Sequence, residues 1–533
     1  MTSNDKGGPP AAIAPVEGSL GSPRAGGIRA RALSLHWMDG LALAAGALAV
    51  LGFAPFDAYP LAVLAPAMLF ATWLPASPAR ALWRGWVFGV GLFSGGVYWV
   101  YFSMHHHGHM PGPLAAVLTA GFALALALVP AAAGYLGQRL SPPKPVWRLL
   151  LAYPAAWTIT EWLRGWLFSG FPWLNLGYSQ DEGPLMGLAP LTGVYGVSWA
   201  VALSAGALVL AAGKSDGGRA QGRLAAAGLL AALWLGAWGL AQVRWTQPAG
   251  EAFQVSLVQG NVPQAAKWDP DQRGAILAGY AAAVRRHWDS RLVVLPESAL
   301  PVFYDSIAED FLDELAREGR RHGTDLLVGI LSREPDAGRY YNSMVALGDG
   351  ARFYHKRHLV PFGEYIPLKS LLGSVLDILH VPMSDFSGGA ANQPPLPVAG
   401  HRAAISICYE IAFGGEVNDF LPRAAFLVSV SNNSWFGDSS APHQVLEMAR
   451  MRARESGRYV LSATNDGITA IVDPRGRVID RLPQFQAGEL TGRVQPRQGA
   501  TPYAAYGDGP ATGLAGLMLG LLAAGTALGR FRR

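Results

Sequence analysis

Residues 402–410 read RAAISICYE, an apolar run that stops at a thiol, a phenol and a carboxylate. Similar short runs recur on either side: FQVSLVQG (253–260), RLVVLPES (291–298), DLLVGILS (325–332), YNSMVALGD (341–349), AAFLVSVSN (424–432), YVLSATNDG (459–467) and ITAIVD (468–473). Their near-continuous Val/Ile/Leu character is that of strands buried on both faces. Helix-like stretches at 272–287, 305–320 and 441–457 fall between them. The segment 341–356, folded around Gly348–Asp349–Gly350, reads as a hairpin and argues against a purely doubly wound sheet. The expectation is an α/β sandwich over residues 245–500, built as one domain.

In such a fold the chemistry collects where strands end in polar residues. Three ends qualify. In LPES, Glu297 follows LVVL and serves either as a helix-cap partner or as a general base. The loop YHKRHLVPFGEYIP (354–367) brings Lys356, Arg357, His358 and Glu364 together. Cys408 closes the third run. A lone Cys in such a place is commonly a small buried hydrophobe, and it becomes a nucleophile only with a base or cation in reach. Glu297 with Lys356 is one possible company. A Cys–His pair drawing on His355, His358, His401 or His443 is the other, and spacing alone does not choose.

Upstream the composition changes. Of the 533 residues 51% are hydrophobic and 15% charged, against about 25% charge in a soluble domain. After a Gly/Pro/Ser/Arg-rich tail (1–37), read as disordered and basic, come seven apolar stretches: 38–54, 59–76, 86–103, 113–136, 149–167, 188–212 and 223–241. An eighth lies at 508–529. Each approaches the ~20 residues that cross a bilayer as a helix, and a soluble helix would show a polar face. A cleavable signal peptide is not expected, since the first apolar run starts only after Trp37. Eight transmembrane helices are therefore expected.

The short loops carry the orientation. Arg24, Arg29 and Arg31, then Arg80 and Arg84, then Arg139, Lys144 and Arg148, then Lys214, Arg219 and Arg223 fall on one side. The alternate loops hold Asp57, the histidines 105–107 and 109, and Asp181 with Glu182. The positive-inside bias puts both termini in the cytoplasm and residues 245–500 on the outer side. The run MHHHGHM (104–110) reads as a wet interfacial loop rather than a metal site. Glu161 and Arg164, near a helix end, suit either a snorkelling side chain or contact with lipid headgroups.

Several functions are excluded. One Cys rules out an intramolecular disulfide framework and a Cys-rich cluster within the chain. A net charge of +5 is too mild for nucleic acid. The phosphate-loop pattern, the dinucleotide fingerprint and HExxH are missing. No cofactor and no metal are expected.

Glu297 in LPES, Lys356 in YHKRHLVPFGEYIP and Cys408 in SICYE follow the Glu–Lys–Cys pattern of the nitrilase, or carbon–nitrogen hydrolase, superfamily. The whole chain over about 38–529 resembles the apolipoprotein N-acyltransferases of bacterial inner membranes. HLVPFGEY (358–365), SNNSWFGDS (431–439) and the motif QGN.PQ..KW (259–268) are similar to that family's versions. The resemblance implies an αββα nitrilase-like sandwich attached to the membrane bundle.

It also implies ping-pong acyl transfer. Cys408 would be the nucleophile, Glu297 its base and Lys356 the oxyanion stabiliser. Glu364 would orient Lys356 and the base, Tyr409 and Glu410 would shape the pocket, and Trp268 would contact substrate. The donor would be a phospholipid such as phosphatidylethanolamine, and the acceptor the α-amine of a diacylglyceryl-modified N-terminal cysteine in a lipoprotein. A monomer would suffice. By its own apolarity the segment 359–379 would form either a lid dipping into lipid or a helix packed on the domain. Asp466, in NDG (465–467), departs from the family's Thr or Asn and is not expected to touch the triad. Two rivals stay in view: a membrane-tethered amidase acting on a small C–N substrate, and a transporter with an outer binding domain.

Overall fold

The structure, a computed structural model, describes residues 25–213, 220–367 and 385–531. The β-rich runs form two facing sheets. One orders its strands Gly488–Val494, Phe253–Gln259, Leu292–Val294, Asp325–Glu334, Arg339–Gly348 and Gly350–His355, with Leu300–Phe303 beside Asp325–Glu334. The other runs Val478–Arg481, Ala470–Val472, Val460–Thr464, Phe426–Ser431, His401–Ile407 and Leu396–Val398. The central strands of each are parallel, and the expected hairpin is antiparallel around Asp349.

Side-chain alternation explains why the runs are apolar throughout. Val255, Leu257 and Val294 share a core with Ile405, Ile407 and Val428 of the facing sheet. Their neighbours Val258, Val293 and Leu326 pack instead with Ile276, Val284 and Leu315, from the helices Arg273–Arg285 and Asp313–His322. The helix Ala441–Ser456 covers the outer face of the second sheet. The layering is αββα, a nitrilase-like sandwich, and its parallel strands deliver their C-terminal ends to one rim.

Helices occupy all eight apolar stretches, but not as eight uniform rods. Among the described residues four are long and apolar enough to cross a membrane: Gly112–Leu140, Pro184–Ala212, Gln221–Leu240 and Gly509–Gly529. A fifth qualifies if Pro78–Gly96 and Val100–His107, bent by 58°, count as one. The expected count of eight is thus not reached on length and apolarity. The stretch 86–103 breaks near Val97, 149–167 opens with a π turn at Arg148–Ala152, and Tyr59–Trp73 has only 15 residues. The first helix runs Ala25–Val50, so it takes in the end of the expected tail. Close approach of helices requires glycine at Gly46 and Gly85, where a Cβ would collide with the Phe88 and Pro130 carbonyls.

Glu161 and Arg164 are buried in protein, which corrects the snorkelling and headgroup readings. Arg164 donates to the Trp173 carbonyl (2.6 Å) and Asn175 Oδ1 (2.5 Å). Glu161 accepts from the Trp157 indole and the Leu176 N–H, both at 2.8 Å. Backbone groups of the loop 173–176 thus find partners that lipid could not supply. That loop in turn meets the sandwich, where the Trp173 and Trp99 indoles donate to Gln444 Oε1. The His-rich run forms a π turn, Ser103–His107, whose Ser103 hydroxyl donates to the Trp435 carbonyl.

Candidate active site

Three strand ends converge on the rim. Glu297 follows Leu292–Val294, Lys356 follows Gly350–His355, and Cys408 follows His401–Ile407. Two of the exits are strained: Cys408 (φ +55°) and Ser298 (φ +46°) sit in the left-handed region that side chains disfavour. The Glu297 loop lies flat on its neighbouring strand because residue 329 is Gly, where a Cβ would strike the Pro296 carbonyl.

Glu297 is held at both oxygens. Oε1 accepts from Asn342 Nδ2 and Oε2 from the Asn432 N–H, each at 2.7 Å. Lys356, 1% exposed, stands between two carboxylates: its Nζ donates to Glu364 Oε1 at 2.8 Å and lies 3.7 Å from Glu297 Oε1. Glu364 is itself fixed by the Val360 N–H (2.9 Å). Burial alone would weaken the lysine's hold on its proton, but Glu364 and Glu297 outweigh it and push the pKa well above the usual range. The two carboxylates therefore favour the charged form of Lys356.

Cys408 is half-buried. Burial and the nearby Glu297 push its thiol far up, against the opposing pull of Lys356 and the Tyr409 N–H. It rests as a thiol, so attack requires a base to take its proton as the sulfur adds. The histidines weighed as that base are engaged elsewhere. His358 bonds Glu416 (2.7 Å) and the Ser169 carbonyl (2.8 Å), while His355 bonds Ser343 (2.8 Å). His401 stacks on Phe253, and His443 feels Arg481, Asp57 and Asp438.

Glu410 turns inward. It accepts from the Ile407 N–H (2.7 Å), the Arg357 N–H (2.7 Å), the His358 N–H (3.2 Å) and the Tyr354 hydroxyl (3.1 Å). It therefore ties the cysteine turn to the segment carrying Lys356, and burial pushes its pKa up to about 7. The Tyr409 hydroxyl donates to the Gly170 carbonyl (2.6 Å), and its ring stacks 6.0 Å from Trp173, at the junction with the membrane helices. Trp268 ends the short helix Gln264–Lys267, half-buried, its indole N–H buried without a hydrogen-bond partner among the described residues. The lid expected over 359–379 falls partly outside the described residues, from 368 onward.

Three residues of the site escaped the sequence reading. Asn342 and Asn432 anchor Glu297, and Lys267 reaches its main-chain carbonyl at 3.4 Å. Lys267 and Asn432 lie inside quoted motifs (QGN.PQ..KW and SNNSWFGDS). Asn342 had no signal beyond a polar residue within a strand.

Known proteins show where this arrangement belongs. Residues 45–207 match the apolipoprotein N-acyltransferase N-terminal domain, and 254–503 match carbon-nitrogen hydrolase. An apolipoprotein N-acyltransferase of Methylococcus capsulatus is 49% identical over 481 residues, covering 90% of this chain and 95% of the relative. Those of Nitrosomonas europaea (44%; 90% and 95%) and Pseudomonas aeruginosa (41%; 90% and 94%) are similar at the same extent.

Proposed function

The chain belongs to the apolipoprotein N-acyltransferase family and is an acyltransferase, and on that footing we propose how its own residues carry out the transfer. Cys408 attacks the sn-1 ester carbonyl of a phospholipid, of which phosphatidylethanolamine is the expected donor. Glu297 accepts the thiol proton while the S–C bond forms. The resulting oxyanion faces the Lys356 ammonium and the Tyr409 N–H. Collapse breaks the ester C–O bond, the lysophospholipid oxygen takes the proton from Glu297, and the acyl chain remains as a thioester.

In the second half the α-amine of a diacylglyceryl-modified cysteine attacks the thioester and gives its proton to Glu297. Sulfur leaves and is reprotonated. No nucleotide is consumed, because the donor ester supplies the acyl group at a usable energy. Glu364 holds Lys356 in place throughout, Tyr409 and Glu410 fix the pocket's walls, and Trp268 stands on the loop that contacts substrate. One chain contains every group the reaction needs, so a monomer suffices.

The observation that carries this reading is the strained exit at Cys408, with the Glu297 carboxylate and the buried Lys356 ammonium, 3.7 Å apart, as its charged neighbours. Family and apolar helices are those of a bacterial inner-membrane protein. We extend this to eight crossings, both termini cytoplasmic and residues 245–500 periplasmic, supported by the basic loops on one side. The domain limits in this reading are 1–37 tail, its end wound into the first helix from Ala25, 38–241 seven helices, 245–500 catalytic, 508–529 the eighth helix. The test incubates purified protein with phosphatidylethanolamine and a diacylated lipopeptide. Wild type should yield lysophospholipid and N-acylated peptide; C408A should yield neither, and N-acylation by C408A would overturn the mechanism.

A further inference from the structure

Beneath Glu297 lie two buried charges that the transfer does not use directly. Lys267, 1% exposed, donates to the Glu297 carbonyl at 3.4 Å, on the main-chain side of the base. Asp466, 7% exposed, stands behind the opposite anchor. Its Oδ2 accepts from the Ser434 hydroxyl (2.6 Å), Asn465 Nδ2 donates to both Ser434 Oγ (3.3 Å) and Asn432 Oδ1 (3.1 Å), and the Asn432 N–H holds Glu297 Oε2. Asp466 Oδ1 is buried without a hydrogen-bond partner among the described residues. The residue expected to stay clear of the triad is thus linked to it through Ser434, Asn465 and Asn432.

We infer that Lys267 and Asp466 are a pair of opposed positioning residues that set how readily Glu297 takes and returns the Cys408 proton. A cation on one side favours the carboxylate, and an anion on the other favours the protonated acid. Turnover needs both forms in each half-reaction, so a base held too firmly in either state would slow one step. Other charged groups facing Glu297 are Lys356 and Cys408, with Glu364 beyond Lys356. Lys267 is faced by Glu297 and Asp466. Asp466 is faced by Lys267, and acts in turn on Tyr280 and His107. Burial lowers the Lys267 pKa to about 8 against the pull of Glu297 and Asp466, so its charge depends on those two neighbours.

The inference rests on the acyl-enzyme reading above. Its test follows acyl-enzyme formation on full-length protein with phosphatidylethanolamine in detergent micelles, by intact mass, over about pH 5 to 9. K267M should move the acid limb of the rate profile to higher pH, by up to about one unit, or tenfold in rate on that limb. D466N, whose amide oxygen still accepts from Ser434, should move it to lower pH, and K267R should restore the wild-type limb. Equal slowing of K267M and D466N with an unmoved limb, or shifts in the same direction, would overturn the inference and reveal a packing role. Where K267M does not fold, D466N alone decides: a downward shift supports the pair, and an unmoved or raised limb refutes it. If wild type itself forms no adduct, the acyl-enzyme reading fails, not this refinement.

Discussion

The membrane bundle and the sandwich each bury a glutamate and a basic residue close together, and they use them in opposite ways. In the bundle, Arg164 is committed to Trp173 and Asn175, and Glu161 to Trp157 and Leu176. Two of those partners are backbone groups of the loop 173–176, so the charges brace that loop. In the sandwich, Glu297 and Lys356 stand 3.7 Å apart without a direct hydrogen bond, held by Asn342, Asn432 and Glu364, beside a thiol. Burying a charge is costly wherever it happens. What separates bracing from chemistry is whether a reactive atom is left within the field of both charges.

Substitution can break that contrast. The largest effect is expected for E297Q, which keeps a hydrogen-bonding side chain but removes the base. Acyl-enzyme formation should fall on the order of 10²–10⁴-fold with little change in thermal melting; a melt that collapses alongside the rate would make Glu297 a brace as well. R164M should do the reverse. Leaving the Trp173 and Asn175 acceptors unpaired should destabilise the protein by about 2–4 kcal/mol, read as a lower melting temperature in detergent. Acylation per folded molecule should stay within about threefold of wild type. A stable R164M protein without acylation would place Arg164 in the chemistry and dissolve the distinction.

The sandwich was more legible in the sequence than the bundle, for a physical reason. Runs such as LVVL and AISI are apolar throughout because one set of side chains meets the facing sheet and the other meets helices, and each ends where its polar residue begins. Glu297 and Cys408 were visible for that reason, and Lys356 from its place at the end of GARFYH. Asn342 and Asn432 were not, because strand register, not local pattern, brings them to Glu297. Asp466 looked remote for the same reason. In the bundle, composition marked every apolar stretch but could not show that Arg148–Ala152 winds as a π turn or that the third stretch bends by 58°. Nor could it show that Glu161 and Arg164 face protein instead of lipid, since both environments tolerate the same flanking residues.

The central claim is that the only thiol in the chain becomes an acyl carrier. Intact mass of the full-length protein after incubation with phosphatidylethanolamine tests it directly. The account predicts a gain of one acyl group, removed by hydroxylamine, mapped to Cys408 and missing in C408A. An unmodified chain that still releases lysophospholipid and acylates the lipopeptide, or an adduct that survives in C408A, would contradict it.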